Sequence, residues 1–153
     1  MKKGFTMIEL IFVIVILGIL AAVALPRMIG VQEQAKEGVL KGFVGTLNRT
    51  VGPSLWSKSL MDDLNGSIKE LNVSVSEYTD IPDGVTWNGT TQPFTNCENN
   101  ASATGISPIA SESANNLYIF CRDGNASSSP RFFYSEKSTV DYDDFNDTKI
   151  KIP

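Results

Sequence analysis

The 153-residue sequence predicts an α+β protein in which a long N-terminal helix packs on a small antiparallel β-sheet head. Residues 5–25 form an almost unbroken apolar run, which predicts that the first half of the helix spans a membrane. Beyond it, apolar side chains recur at helical spacing and predict an amphipathic second half. From about residue 73, short apolar runs alternate with turn residues, which is typical of strands.

The apolar run is long enough to cross a bilayer as one helix. Its 21 residues, at about 1.5 Å each, measure about 31 Å, close to the thickness of the hydrocarbon layer. The run contains a single charged residue, Glu9, about one helical turn from its start. A charge in lipid is costly and marks a functional position by default. The alternative is that Glu9 is protonated or reaches the membrane surface.

A secretory signal peptide is a second interpretation of the same run. Ala22-Val23-Ala24 resembles a signal peptidase site, and cleavage there releases a protein that begins at Leu25. The charge of Glu9 inside the apolar core and the unusual length of that core favour a retained membrane helix instead.

Two lysines and a glycine precede the apolar run, and the chain from there into the run reads Lys2-Lys3-Gly4-Phe5-Thr6-Met7-Ile8-Glu9-Leu10. It resembles the leader and first mature residues of type IV pilins and type II secretion pseudopilins. The resemblance implies that a membrane peptidase cleaves after Gly4, that the new amine on Phe5 is methylated, and that Glu9 is needed for filament assembly. The family also has a long helix packed on an antiparallel sheet. The sequence does not choose between pilus and pseudopilus.

The resemblance and the hydropathy pattern divide the chain into four parts. They are a leader at residues 1–4, a transmembrane and filament-core helix at 5–25, an amphipathic stalk helix at 26–58 and a periplasmic head at 59–153. Lys2 and Lys3 place the N-terminus in the cytoplasm, because positive charge stays on the inner side. The predicted location is the inner membrane, crossed once, with a periplasmic or extracellular filament after assembly.

The stalk carries an apolar stripe at i+4 spacing, widened by Leu40 and Val44. Its members are Val31, Ala35, Val39, Phe43, Leu47, Val51 and Leu55. Each i+4 step rotates the stripe by about 40°, so it wraps around the helix and predicts several packing partners. Complete burial of this helix within the head is the alternative. Pro26 predicts a bend, and Gly52-Pro53 predicts an interruption before a short segment at 54–64.

The head is predicted to contain strands at residues 84–87, 116–121, 132–135 and 149–152, with a long polar loop at 88–115. The spacing from Ser67 to Glu70 predicts a helix capping box. Outside the reducing cytoplasm, Cys97 and Cys121 are predicted to form a disulfide, and two free buried thiols are the alternative.

Composition argues against catalysis and against nucleic acid binding. The chain has no His, no phosphate-binding glycine loop and no Cys-x-x-Cys pair, so neither an enzyme nor a cofactor is predicted. Residues 59–153 hold six basic and fourteen acidic side chains, whereas residues 27–58 carry a formal charge of +3. A head with a formal charge of −8 does not favour a polyanionic partner.

Asn-x-Ser/Thr sequons are unusually frequent. Seven occur, at Asn48, Asn65, Asn72, Asn88, Asn100, Asn125 and Asn146, where composition predicts roughly two. Five also have an acidic residue two positions earlier: Asn65, Asn72, Asn100, Asn125 and Asn146. This spacing resembles the extended sequon of bacterial periplasmic oligosaccharyltransferases and predicts N-glycosylation at several of the five. The alternative is a polar, Asn-rich surface with coincidental spacing.

An acidic cluster lies near the C-terminus, at Asp141, Asp143, Asp144 and Asp147. Carboxylate oxygens are ligands for Ca²⁺, but the spacing matches no EF-hand and the loop glycine is missing. A solvated acidic surface is therefore the favoured interpretation, and no metal is predicted.

Two functional hypotheses remain. The leading one is a prepilin-like structural subunit, cleaved, N-methylated and assembled with copies of itself and other pilin-like subunits. Its further partners are the prepilin peptidase, the inner membrane and, if the head is glycosylated, an oligosaccharyltransferase. The other is a membrane-anchored periplasmic glycoprotein that acts as a binding module without assembling.

Overall fold

The computed structural model describes residues 4–89, 93–113 and 116–146. The chain divides into two compact units between residues 36 and 37. The first unit is helical from Met7 onward and belongs to helix α1, Met7–Thr46. Pro26 lies inside α1 and does not end it. Proline has no N–H, so the carbonyl of Ala22 loses its helical hydrogen bond there.

The second unit begins with the remainder of α1 and continues as helix. A π-helical turn, Leu47–Val51, leads directly into helix α2, Gly52–Met61. The predicted interruption at Gly52-Pro53 is wrong, because Gly52 keeps helical angles and Pro53 occupies the first turn of α2, where a missing N–H is harmless. A Cβ on Gly52 would lie 3.2 Å from the Phe132 ring, so glycine permits this close packing.

One face of these helices is buried in the second unit. Its side chains, each at most 5% exposed, are Leu40, Phe43, Val44, Leu47, Val51 and Leu55. Val39 is 54% exposed, so the predicted i+4 stripe joins this core only from Phe43 onward. Leu40 and Val44 each lie three residues before the next buried position, Phe43 and Leu47. Mixed steps of three and four keep the buried face on one side of the helix.

Within the described residues, the sheet has four antiparallel strands in sequential order. They are β1 (Val85–Trp87), β2 (Ala110–Glu112), β3 (Leu117–Arg122) and β4 (Arg131–Ser135). The strands predicted at 84–87, 116–121 and 132–135 are confirmed. The long loop predicted at 88–115 is wrong at β2, because Ala, Ser and Glu have low β propensity, unlike the Val-Thr-Trp of β1. The strand predicted at 149–152 lies outside the described residues.

Both faces of the sheet are covered. On the helix side, Ile119 and Phe132 join the main core, and on the other side Phe120 and Phe133 pack in a second cluster. Segments before β2 and after β4 supply the other members of that cluster: Ile106, Val140 and Phe145. Consecutive residues of β3 therefore serve opposite cores, as the two-residue period of a strand requires.

The predicted disulfide is confirmed. Cys97 and Cys121 are bonded, with Cα atoms 4.6 Å apart, and both are completely buried. Beside it, the Glu98 N–H donates to the carbonyl of Cys121 at 3.2 Å. The disulfide thus fastens the segment after residue 93 to β3.

The predicted Ser67–Glu70 capping box is wrong. Ser67 Oγ donates to Asp123 Oδ2 at 2.5 Å, and the Ile68 N–H donates to Asp123 Oδ1 at 2.8 Å. A buried carboxylate from the end of β3 therefore caps this turn. Burial raises the pKa of Asp123, although the hydrogen bonds from Ser67, Ile68 and Gly124 oppose that rise.

Candidate functional site

The candidate site is the first turn of α1. Thr6 precedes the helix, and its carbonyl accepts the N–H groups of Glu9 and Leu10 at 3.1 and 3.2 Å. The Thr6 hydroxyl also accepts the Glu9 N–H, at 3.4 Å. Thr6 is thus the N-cap, and Glu9 stands three residues later, the spacing of a capping box. The sequence signal for this cap is the Thr-x-x-Glu spacing from Thr6 to Glu9, a signal not used in the predictions above.

The Glu9 side chain is exposed at the positive end of the helix dipole. A carboxylate there is held close to the N-terminal residues but has free surface for a partner. Phe5, where the predicted amine would form, is 81% exposed one residue before the cap. The position of the predicted amine, Phe5, and the carboxylate of Glu9 are therefore four residues apart, which is about one helical turn.

Gly4 is not required by packing. A Cβ built on Gly4 would have no heavy atom of the described chain within 4 Å. Packing within the described part of this unit therefore does not require glycine at this position.

The helix after Glu9 is apolar on all sides. Exposed fractions of its large side chains range from 41% at Ile16 to 67% at Phe12. The helix has the length and composition to cross a membrane. A helix that is apolar all round must be surrounded by lipid or by other apolar helices.

The acidic cluster is used within the head. Asp141 Oδ1 accepts the Gly105 N–H at 2.8 Å, and Asp144 Oδ2 accepts the Asp141 N–H at 3.0 Å. Lys137 also pairs with Asp144 at 3.4 Å, while Asp143 is exposed. In the part of the chain described, no group of three acids, cysteines or histidines is placed to hold a metal ion. Asp147 lies outside it.

The five candidate glycosylation sites differ in setting. Asn65, Asn72 and Asn100 are exposed and Asn125 is half-buried, while the side chain of Asn146 is outside the described part. Two further sequons, at Asn48 and Asn88, have no acid two positions earlier, and their side-chain amides form hydrogen bonds within the head. Asn88 Nδ2 donates to the Pro108 carbonyl at 2.9 Å.

Asn48 has a structural role that the sequence did not indicate. Its Nδ2 donates to the carbonyl of Phe132 at 2.8 Å, and its Oδ1 accepts the N–H of Phe132 at 2.8 Å. Nδ2 also donates to the Val44 carbonyl at 3.1 Å. Among the described strands β4 has only β3 beside it, and the amide pairs with its other side as a neighbouring strand would.

Comparison with known proteins agrees with the features of the first turn. Residues 1–25 match the family described as the prokaryotic N-terminal methylation motif. The chain is 51% identical over 43 residues to the type II secretion system core protein G of Pseudomonas aeruginosa, covering 28% of this chain and 30% of that protein. It is 57% identical over 35 residues to the type IV narrow pilus major component PilA5 of Thermus thermophilus, covering 23% and 30%.

The chain thus spans about 30% of the length of the curated relatives it matches. No solved structure matches significantly. One relative comes from a secretion system and the other from a pilus, so the comparisons favour neither. The resemblance to pilins and pseudopilins is confirmed, and the chain carries the prokaryotic N-terminal methylation motif at residues 1–25.

Proposed function

We propose that this protein is a prepilin-like subunit that is stored in the inner membrane and assembled into a helical filament. A prepilin peptidase cleaves after Gly4 and methylates the amine of Phe5. Residues 5–25 form the transmembrane and filament-core helix, 26–58 the stalk, and 59–153 the periplasmic head. The role is structural rather than catalytic.

The observation that carries the proposal is the surface of the first unit. It exposes large apolar side chains on every side, and its first turn holds one carboxylate, Glu9. Lipid covers such a surface in a stored subunit, and apolar helices of neighbouring subunits cover it equally well in a bundle. Transfer from one to the other therefore changes the apolar burial little, so a specific polar contact can set the position of each subunit.

Glu9 supplies that contact. In the bundle, it pairs with the Phe5 amine of a neighbouring subunit, and the pair sets how far one helix slides along the next. Removal of one member of a buried ion pair costs about 3–5 kcal/mol, because the other charge is left unpaired. That range corresponds to roughly 150- to 5,000-fold in subunit affinity.

The test combines the mature N-terminus with assembly of a Glu9 variant. Mass spectrometry of the native protein should find a chain that begins at methylated Phe5. Glu9→Ala should remain in the membrane while sheared or secreted filaments fall at least about tenfold, below the affinity range given above. Glu33→Ala is the matched control, since Glu33 is an exposed carboxylate on the same helix beyond the apolar run.

The alternative binding module gives opposite results. A plain anchor retains Met1 and tolerates Glu9→Ala, and a secreted protein begins at Leu25. Normal filaments from Glu9→Ala would refute the ion-pair mechanism, and an N-terminus other than Phe5 would refute processing.

A further inference from the structure

The candidate sequons are not equivalent in the folded head. We propose that Asn72 is the acceptor of an N-linked oligosaccharide, transferred from a polyprenyl diphosphate carrier. This inference rests on the periplasmic placement of the head in the proposed function. It draws on the excess of sequons and on what each sequon's side chains contact.

Residues 70–74 display all three parts of the sequon on one side. Leu71 and Val73 are 2% and 6% exposed and face the core, whereas Glu70 and Asn72 are exposed between them. Ser74 is half-buried, with extended backbone angles of −94° and 133°. Buried Leu71 and Val73 thus alternate with Glu70, Asn72 and Ser74, which places the acid, the amide and the hydroxyl on the side away from the core.

The amide of Asn72 is also available for reaction. No described residue forms a hydrogen bond with its amide, and its backbone belongs to no strand of the sheet. The Ser74 hydroxyl shares a 2.7 Å hydrogen bond with the hydroxyl of exposed Ser76, a contact that water can replace. An enzyme can therefore engage this segment without unfolding the head.

At Asn100 and Asn125, the same spacing builds closed turns. Glu98 Oε1 accepts the N–H of Asn100 at 3.0 Å, and Asn100 Oδ1 accepts the N–H of Ser102 at 3.0 Å. Asn125 Oδ1 accepts both the N–H and the hydroxyl of Ser127, at 2.9 and 3.0 Å. In both turns, the acid and the asparagine Oδ1 already accept local N–H groups, so a transferase must break these hydrogen bonds to engage the sequon.

In the Asn65 sequon, the hydroxyl of Ser67 is already engaged in a hydrogen bond. Ser67 Oγ donates to buried Asp123, and the intervening Gly66 is buried. A Cβ on Gly66 would lie 2.2 Å from the Asn125 carbonyl oxygen, so no further group fits beneath this turn. Asn48, as described above, binds β4 with its amide. Asn65 and Asn48 therefore require local unfolding before they can react.

The transfer is a substitution at the anomeric carbon and needs no oxidant or reductant. Nδ2 of Asn72 forms a bond to the anomeric carbon of the sugar while the bond from that carbon to the diphosphate oxygen breaks. One amide proton passes to a base of the transferase, and the polyprenyl diphosphate leaves with the electron pair.

The test uses the full chain in cells that make a bacterial oligosaccharyltransferase and its lipid-linked oligosaccharide, with a separate known acceptor protein as the activity control. Because the side chain of Asn146 lies outside the described residues, the tested chain carries Asn146→Gln, and its intact mass and glycopeptide spectra should show one glycan, at Asn72. Asn72→Gln and Ser74→Ala should abolish it, and Glu70→Gln should lower occupancy several-fold. The matched controls Asn100→Gln and Asn125→Gln should retain it.

A second form of the chain carries a flexible acidic-x-Asn-x-Thr peptide after Pro153. If this peptide is glycosylated while Asn72 is bare, the head is periplasmic and the site assignment is wrong. If both are bare while the separate acceptor is modified, the proposed topology is wrong, and the inference falls with it. A glycan that survives in Asn72→Gln also overturns the assignment.

Discussion

Asn48 should contribute more to head stability than any other exposed or half-buried polar side chain on the helices. The sheet order leaves β4 at an edge, and the π-helical turn places the Asn48 amide against it. Phe132 is fully buried, so its N–H and carbonyl have no access to water once the amide is removed. Asn48→Ala therefore leaves two backbone groups unpaired.

Each unpaired buried group costs about 1–3 kcal/mol. Both groups belong to one residue at a sheet edge that can shift slightly, so we expect a total loss of about 3 kcal/mol, near the lower end of the combined range. For a unit of this size, that loss lowers the melting temperature by roughly 12 °C. Asn48→Asp should cost a similar amount, since it keeps the acceptor but places a second oxygen against the Phe132 carbonyl.

The assay is urea unfolding of the full chain in detergent, followed by tryptophan fluorescence. Trp56 and Trp87 both lie in the second unit and are half-buried, so their emission follows unfolding of the head. Thr50→Ala is the control, because it removes the same Asn-Arg-Thr sequon at an exposed position without touching the amide. It should change the unfolding free energy by less than about 0.5 kcal/mol. A loss below about 1 kcal/mol in Asn48→Ala would refute the reasoning.

The same assay tests two other contacts of the head. Replacing Cys97 and Cys121 by Ala opens a loop with a sequence separation of 24 and should cost about 3.5 kcal/mol, whereas a loss under about 1 kcal/mol would contradict this. Burial raises the folded pKa of Asp123, so its contribution to stability is present below the ordinary aspartate pKa of about 3.9 and is lost as pH rises through the raised value. We compare the unfolding free energies of the wild type and Asp123→Asn. The wild-type value minus the variant value should fall as pH rises from the ordinary to the raised pKa, and stay constant above it. A difference that does not change with pH would contradict the prediction.

The N-terminal helix and three of the four described strands, β1, β3 and β4, were predictable from their residue patterns. A 21-residue apolar run satisfies its backbone only as a helix in an apolar environment. The runs that became β3 and β4 are long enough to show apolar and β-branched character between turn residues. β2, with three residues, is fixed by its pairing with β1 and β3 rather than by its own composition.

The contacts that the sequence did not predict join residues far apart in the chain. Asn48 and Phe132 are 84 positions apart, and Ile68 and Asp123 are 55 apart. A hydrogen bond from a side chain to a distant backbone group has no sequence period, so every asparagine looks equivalent before the fold is known.

The two Ser/Thr-x-x-Glu segments show the same limit. The segment at Thr6 forms an N-cap, whereas Ser67 turns to Asp123. An ionised acceptor binds a hydroxyl more strongly than a neutral one, so a carboxylate brought close by the fold wins over the local motif.

The two units bury their surfaces in different ways, and this separates assembly from stability. In the described part of the head, every buried polar side-chain atom has a hydrogen-bond partner, and both sheet faces are covered. The head therefore needs no neighbour to fold. Residues 10–25 bury none of their large apolar side chains within their own unit, so they need lipid or other helices. Glu9→Ala should accordingly leave the urea unfolding of the head unchanged while it stops assembly, and a shared loss of both would mean that the assembly defect arises from misfolding.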